Sequence, residues 1–184
     1  LRELTKRIHG KEIERPQILY HGTPYPFDDT PRPSVNEAAY FGPGIYTSPN
    51  VDFAEAYATH KRNLTDKQST PTIIEFQLSQ DAHLVPGDGK TDPALLEKLN
   101  KEVKPEARNK FDEYLAALKS SDLRKINWGT LWALKQSVSP EEYLRIMSSV
   151  GIDGMIKGSE WIIFNPTVLS RKTSGLTTPL SKAA

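Results

Sequence analysis

Short apolar runs that suit strands sit towards both ends of this chain, with a long stretch of helical periodicity between them. Residues 18–21 and 72–78 precede that stretch, and residues 155–156 and 161–164 follow it. The intervening segment, 92–147, opens with Asp92-Pro93, a helix start. It carries successive apolar stripes at Leu95, Leu96 and Leu99, at Phe111, Tyr114, Leu115 and Leu118, and at Leu131, Trp132 and Leu134. Ser139-Pro140-Glu141-Glu142 forms a capping box that opens a last helix through Met147.

Other segments read more locally. Leu1, Leu4 and Ile8 share a face of a helix predicted over 1–15 and ended by Gly10, before Pro16 breaks the chain. Residues 24–36 hold four prolines and form a long loop of the kind that serves as a lid or binding loop. Ser48-Pro49-Asn50 caps a helix over 51–61. Leu84-Val85 reads as a continuation of the 72–78 strand after a turn, and the chain from Ser170 onward as a loose polar tail.

The chain has 184 residues, 37% hydrophobic and 26% charged, enough for one core and one domain spanning 1–184. With 24 basic and 23 acidic side chains the net charge is +1, so no general attraction to nucleic acid or membrane is expected. The absence of cysteine excludes disulfides, thiolate zinc sites and a cysteine nucleophile. His9, His60 and His83 have no partners at metal-ligand spacing, so no metal is expected and a surface role suits each. Trp128 and Trp132, one helical turn apart, suit a core better than a ligand platform. Gly42 and Gly44 match neither a P-loop nor a dinucleotide fingerprint. No apolar run approaches the roughly 20 residues of a membrane span and no signal peptide is visible, so a soluble domain acting in a cytoplasm, its own or a host's, is expected. A start at Leu1 rather than Met reads as a domain cut from a longer chain.

Three segments remain that carry chemistry: Leu19-Tyr20-His21-Gly22-Thr23, Gly42-Pro43-Gly44-Ile45-Tyr46-Thr47-Ser48 with Tyr57 eleven residues after Tyr46, and Glu160-Trp161-Ile162-Ile163-Phe164. In this order they resemble the His-Tyr-Glu signature of ADP-ribosyltransferases related to diphtheria toxin and the poly(ADP-ribose) polymerases. Gly151-Ile152-Asp153-Gly154 ahead of Glu160 is similar to the domains of this family found in bacterial toxins and phage polyvalent proteins. The resemblance covers 18–86 and 150–168 and treats 92–147 as a helical insertion.

The resemblance implies an α+β fold with a split β core around an NAD cleft, NAD as co-substrate without a metal, and transfer of a single ADP-ribose with release of nicotinamide. Cleavage of the nicotinamide glycosidic bond builds positive charge on the ribose, while the leaving group departs neutral and needs no general acid. Under this reading Glu160 is catalytic: it binds the ribose, favours the cation, and orients or deprotonates the nucleophile. His21 and Tyr46 position NAD, with Thr23 on ribose hydroxyls. Gly22 offers its backbone to the nicotinamide amide, and the rings of Tyr46 and Tyr57 flank the cationic ring. Two departures stand out. Ala54 occupies the place of a serine that contacts nicotinamide in the polymerases, and Gly158, two residues before Glu160, argues against arginine as acceptor. A monomer acting on a macromolecular acceptor, protein in preference to nucleic acid, is expected. The alternatives are an NAD glycohydrolase, a tRNA 2′-phosphotransferase-like enzyme and an inactive NAD- or protein-binding domain.

Overall fold

Alternating side chains along 72–78 build the central strand of a three-stranded antiparallel sheet. The computed structural model describes residues 7–8, 11–12, 18–24, 32–34, 40–65, 69–118 and 126–172. In chain order the described strands are β1 Arg7–Ile8, β2 Lys11–Glu12, β3 Ile18–Thr23, β4 Ile45–Thr47, β5 Thr72–Leu78, β6 Leu84–Pro86, β7 Gly154–Lys157, β8 Glu160–Ile163 and β9 Leu169–Arg171. The helices are α1 Val51–Thr65, α2 Pro93–Glu102, α3 Pro105–Ala117, α4 Asn127–Ser137 and α5 Pro140–Ser149. The architecture is mixed helix and sheet, consistent with α+β.

β5 pairs with β3 on one side and β9 on the other, while a second sheet runs β4-β8-β7-β6. The sheets meet edge to edge at one bridge, where Tyr20 N–H donates to the Ser48 carbonyl at 2.7 Å and Ser48 N–H donates back at 2.9 Å. Leu19, Ile74 and Phe76 from the first sheet pack with Ile45, Trp161 and Ile163 from the second in one core cluster. On β8 the alternate residue Ile162 belongs to a larger cluster with Met155, Leu99, Phe111, Leu134 and Tyr143. β8 is therefore buried on both faces, which is why 161–164 reads as an unbroken apolar run.

The four helices α2 to α5 lie between β6 and β7, which pair in parallel, so the helical segment is the crossover that a parallel pair requires. Asp92 caps α2 by accepting the Ala94 N–H at 2.9 Å, and Ser139 caps α5 by accepting the Glu142 N–H at 3.2 Å. Asn50 accepts the N–H of Asp52 at 2.9 Å at the start of α1, whose hydrogen-bonded length exceeds the expected 51–61. No described helix is long and apolar enough to cross a membrane.

Three expectations change. Of the helix expected over 1–15, the described residues form β1 and β2, an antiparallel pair in register Arg7↔Glu12; the rest lies outside the described residues. A short helix is marginal on its own, and strand pairing prevails at the described residues. Leu84-Val85 does not extend the 72–78 strand but joins the other sheet beside β7. The tail expected from Ser170 begins inside β9, whose Ser170 pairs with Gln77; 173–184 lies outside the described residues, as does most of the 24–36 loop.

Asp153 ties the second sheet together. Its carboxylate accepts the His83 backbone N–H at 2.8 Å and the Asn165 side-chain amide at 2.7 Å, and its carbonyl accepts the Phe164 N–H at 2.7 Å. Asp153→Ala leaves two half-buried donors without their acceptor. A loss of about 1–3 kcal/mol in denaturant unfolding is expected, whereas Asp153→Asn, which keeps one acceptor oxygen, should lose less.

Candidate functional site

Side chains alternate along β3, so Tyr20 and Gly22 look to one face and His21 and Thr23 to the other. The Tyr20–Gly22 face, the end of β4, the first turns of α1 and the start of β8 enclose a cleft. Its walls include Gly22, Tyr46, Tyr57 and Glu160, together with Tyr20, Ser48 and Phe53. The free space between them is about 10 Å³, room for roughly one water. Phe53 is 39% exposed and sits one helical turn before Tyr57, so both aromatic walls on α1 stand at the mouth.

Gly22 is required by packing. A Cβ there would lie 2.0 Å from the Ala54 carbonyl oxygen and 3.1 Å from the Ala58 nitrogen. The close approach expected for a ligand is made by α1. Ala54, where the resemblance has serine, is 3% exposed in that contact.

Tyr46 is held by its hydroxyl, which donates to the Gly42 carbonyl at 2.8 Å and accepts the Phe41 N–H at 3.1 Å. The phenol pKa is raised, chiefly by burial; the Phe41 contact opposes this, and the nearby Glu160 and Tyr57 add to it. The ring is thus what Tyr46 presents to the cleft. Tyr57 is half-buried, and the Lys61 ammonium lies 5.5 Å from its ring centre, so one cation already uses that ring.

Glu160 begins β8 directly after the two-residue turn Gly158-Ser159. Gly158 has φ +58°, the left-handed conformation that tight hairpin turns need and glycine adopts freely. Thr47 locks β4 to β8 by donating its hydroxyl to the Trp161 carbonyl at 2.8 Å. Lys157 is the cross-strand partner of Glu160, but its ammonium pairs with Asp88 and lies 5.8 Å from the centre of the Trp128 ring. The Glu160 carboxyl is half-buried and its pKa is raised by desolvation. No family model, curated protein or solved structure matches this chain.

His21 and Thr23 are not among the cleft walls. The His21 Nδ1 is 2.7 Å from the Tyr46 carbonyl, which makes it the bridge between β3 and β4 behind the cleft. Donation to that carbonyl requires the proton on Nδ1. Burial lowers the imidazole pKa, and the Tyr46 contact only partly offsets this. Thr23 is buried at 8% exposure opposite Thr72. Tyr20, Ser48 and Phe53 were not anticipated, although Tyr20 lies two residues before Gly22 and Phe53 four before Tyr57, the spacings that share a strand face and a helix face. Among the described residues no group of three or more His, Asp or Glu side chains is clustered to hold a metal ion.

The lowered His21 pKa has a consequence for stability. Between the folded-state pKa and the ordinary value of 6.5 the unfolded chain binds more protons, so stability is present above 6.5 and is lost as the pH falls below it. Unfolding free energies measured from neutral to mildly acid pH should decline through that window. His21→Asn should flatten the decline; an unchanged slope would remove His21 as its source.

Proposed function

We propose that this domain cleaves the nicotinamide glycosidic bond of NAD and transfers ADP-ribose to an acceptor. One observation carries the reading: Gly22, Tyr46, Tyr57 and Glu160, from four separate segments, line one cleft. Two aromatic rings suit a flat cationic ring, and a carboxylate beside them suits a ribose that becomes cationic.

In the proposed reaction the bond from ribose C1′ to the nicotinamide nitrogen breaks, and its electron pair leaves with nicotinamide, which becomes neutral. Glu160 as carboxylate stabilises the positive ribose. The acceptor's nucleophile then bonds to C1′ and loses a proton. Glu160 suits that proton because desolvation makes it a stronger base than an exposed glutamate. The neutral Nδ1–H tautomer of His21 fixes the Tyr46 backbone, which sets the ring. Entry of nicotinamide requires the narrow slot to widen, and Phe53 and Tyr57 at its mouth are the side chains that must swing.

The test is nicotinamide release from NAD labelled on the adenine side, with and without cell lysate. Label carried onto a lysate component, and lost in Glu160→Gln, supports transfer. Release without labelling means that water is the acceptor. No release from a folded sample overturns the proposal.

A further inference from the structure

The turn Pro86-Gly87-Asp88-Gly89 leads out of β6 alongside the β7–β8 hairpin, and hydrogen bonds pin it on two sides. Gly87 N–H donates to the Ile156 carbonyl of β7 at 2.6 Å. From the start of α4, Trp128 N–H donates to the Gly87 carbonyl at 2.9 Å and Asn127 N–H to the Gly89 carbonyl at 2.8 Å. The buried Asn127 side-chain amide donates to the Pro86 carbonyl at 2.8 Å. Asp88 stands between these anchors, so its place is fixed although its side chain is 56% exposed.

Lys157 runs beneath this turn. Its Cδ is 3.2 Å from where a Gly87 Cβ would stand, so the bare glycine leaves the path of the lysine stem open. Its ammonium pairs with Asp88 and lies 5.8 Å from the centre of the Trp128 ring. Glu160 is the other carboxylate within reach. Lys157 and Glu160 are direct cross-strand partners beside the two-residue turn, the position in which opposite charges ordinarily meet. Among the described residues Lys157 forms its ion pair with Asp88 and not with Glu160. The pinned turn therefore decides which carboxylate the lysine neutralises.

We propose that Asp88 is a positioning residue for the Glu160 cleft: by holding the Lys157 ammonium, it leaves the Glu160 carboxylate to the ribose cation and to the acceptor's proton. Its value to catalysis rests on the reaction proposed above, whereas the competition of two carboxylates for one lysine does not. The other titratable walls of the cleft are Tyr20 on β3, Tyr46 on β4 and Tyr57 on α1; Lys157 is the cation placed opposite Glu160. Desolvation raises the Glu160 pKa, which suits a carboxylate with no ammonium upon it.

The test uses the whole chain as parent, Asp88→Asn, Lys157→Gln and the two substitutions together. A solvent-exposed ion pair adds little to stability, so every form should fold. In Asp88→Asn the released ammonium pairs with Glu160. The acid limb of the pH profile for nicotinamide release should move down by about one pH unit, the low end of the effect of an opposite charge at close range. Release near neutral pH should slow about tenfold, because the ammonium stabilises the carboxylate before the ribose cation forms. Lys157→Gln and the double variant should keep the parent profile and rate, so the second substitution restores what the first removes. Carbon-13 NMR titration of the glutamate carboxyls, with Glu160→Gln to assign the resonance, reads the same displacement without turnover. A purely structural Asp88 predicts a lower thermal midpoint in Asp88→Asn, an unmoved Glu160 titration and no restoration by Lys157→Gln. An unmoved titration or a failed restoration overturns the proposal. A parent that releases no nicotinamide, with a Glu160 titration that moves in Asp88→Asn and returns in the double variant, overturns the reaction and supports the hold of Asp88 on Lys157.

Discussion

Glu160→Gln is expected to lower nicotinamide release from NAD by about 10²–10³-fold, the usual cost of removing one group that stabilises charge developing in the transition state. The same substitution should not destabilise the fold. Desolvation is the cause of the raised Glu160 pKa, so the folded protein favours the uncharged form. A group whose folded pKa is raised holds back stability at pH values above it, and the deficit closes as the pH falls through it. Glutamine removes the charge at nearly constant size. The variant should therefore melt no lower than the parent at neutral pH, and any gain should vanish at acid pH. Activity and stability move in opposite directions, which separates a catalytic carboxylate from an ordinary strand-end one. A variant that folds and releases nicotinamide at the parent rate would refute the assignment.

The pairing of Glu160 with Lys157 sharpens that expectation. In an antiparallel hairpin, facing opposite charges ordinarily form an ion pair. Here Asp88 takes the lysine, and the Trp128 ring lies beside it. Asp88 therefore acts on the site indirectly, because it keeps the ammonium away from the carboxylate.

What could be read in the chain was mostly what is local. Asp92, Ser139 and Asn50 cap helices because a side-chain oxygen and the next few N–H groups are all that a cap needs. The sheet to which a strand belongs is not local. Leu84-Val85 is apolar enough for either sheet, and only its distant partner Gly154–Ile156 decides. Leu169-Ser170-Arg171 has no strand pattern of its own and is one because β5 offers an edge. At the N-terminus Leu4 and Ile8 imitate a helix face in a segment whose described parts pair as strands. The cleft shows the same division. Tyr46, Tyr57, Gly22 and Glu160 surround it, but His-Gly-Thr, read as one unit, splits across the two faces of β3. That split follows from strand alternation and was available in the sequence; the contact of Gly22 with α1 was not.

That contact gives the second large effect. Gly22→Ala is expected to cost about 3 kcal/mol, the upper part of the usual range for overpacking. The added methyl would meet the Ala54 carbonyl oxygen at 2.0 Å and the Ala54 carbonyl carbon at 2.9 Å, both of them backbone atoms. No rotamer change removes a backbone atom, so Ala54→Gly on α1 should not rescue the variant. Either β3 or α1 must shift, and α1 carries Phe53 and Tyr57, two walls of the cleft. Denaturant unfolding reads the stability loss. The functional expectation differs from that for Glu160→Gln: shifting the aromatic walls should weaken NAD binding, whereas removing the carboxylate should chiefly slow the chemical step. A Gly22→Ala protein with parental stability would mean that α1 does not rest on β3 as described. One that is destabilised yet binds NAD as the parent does would confine glycine at this position to packing.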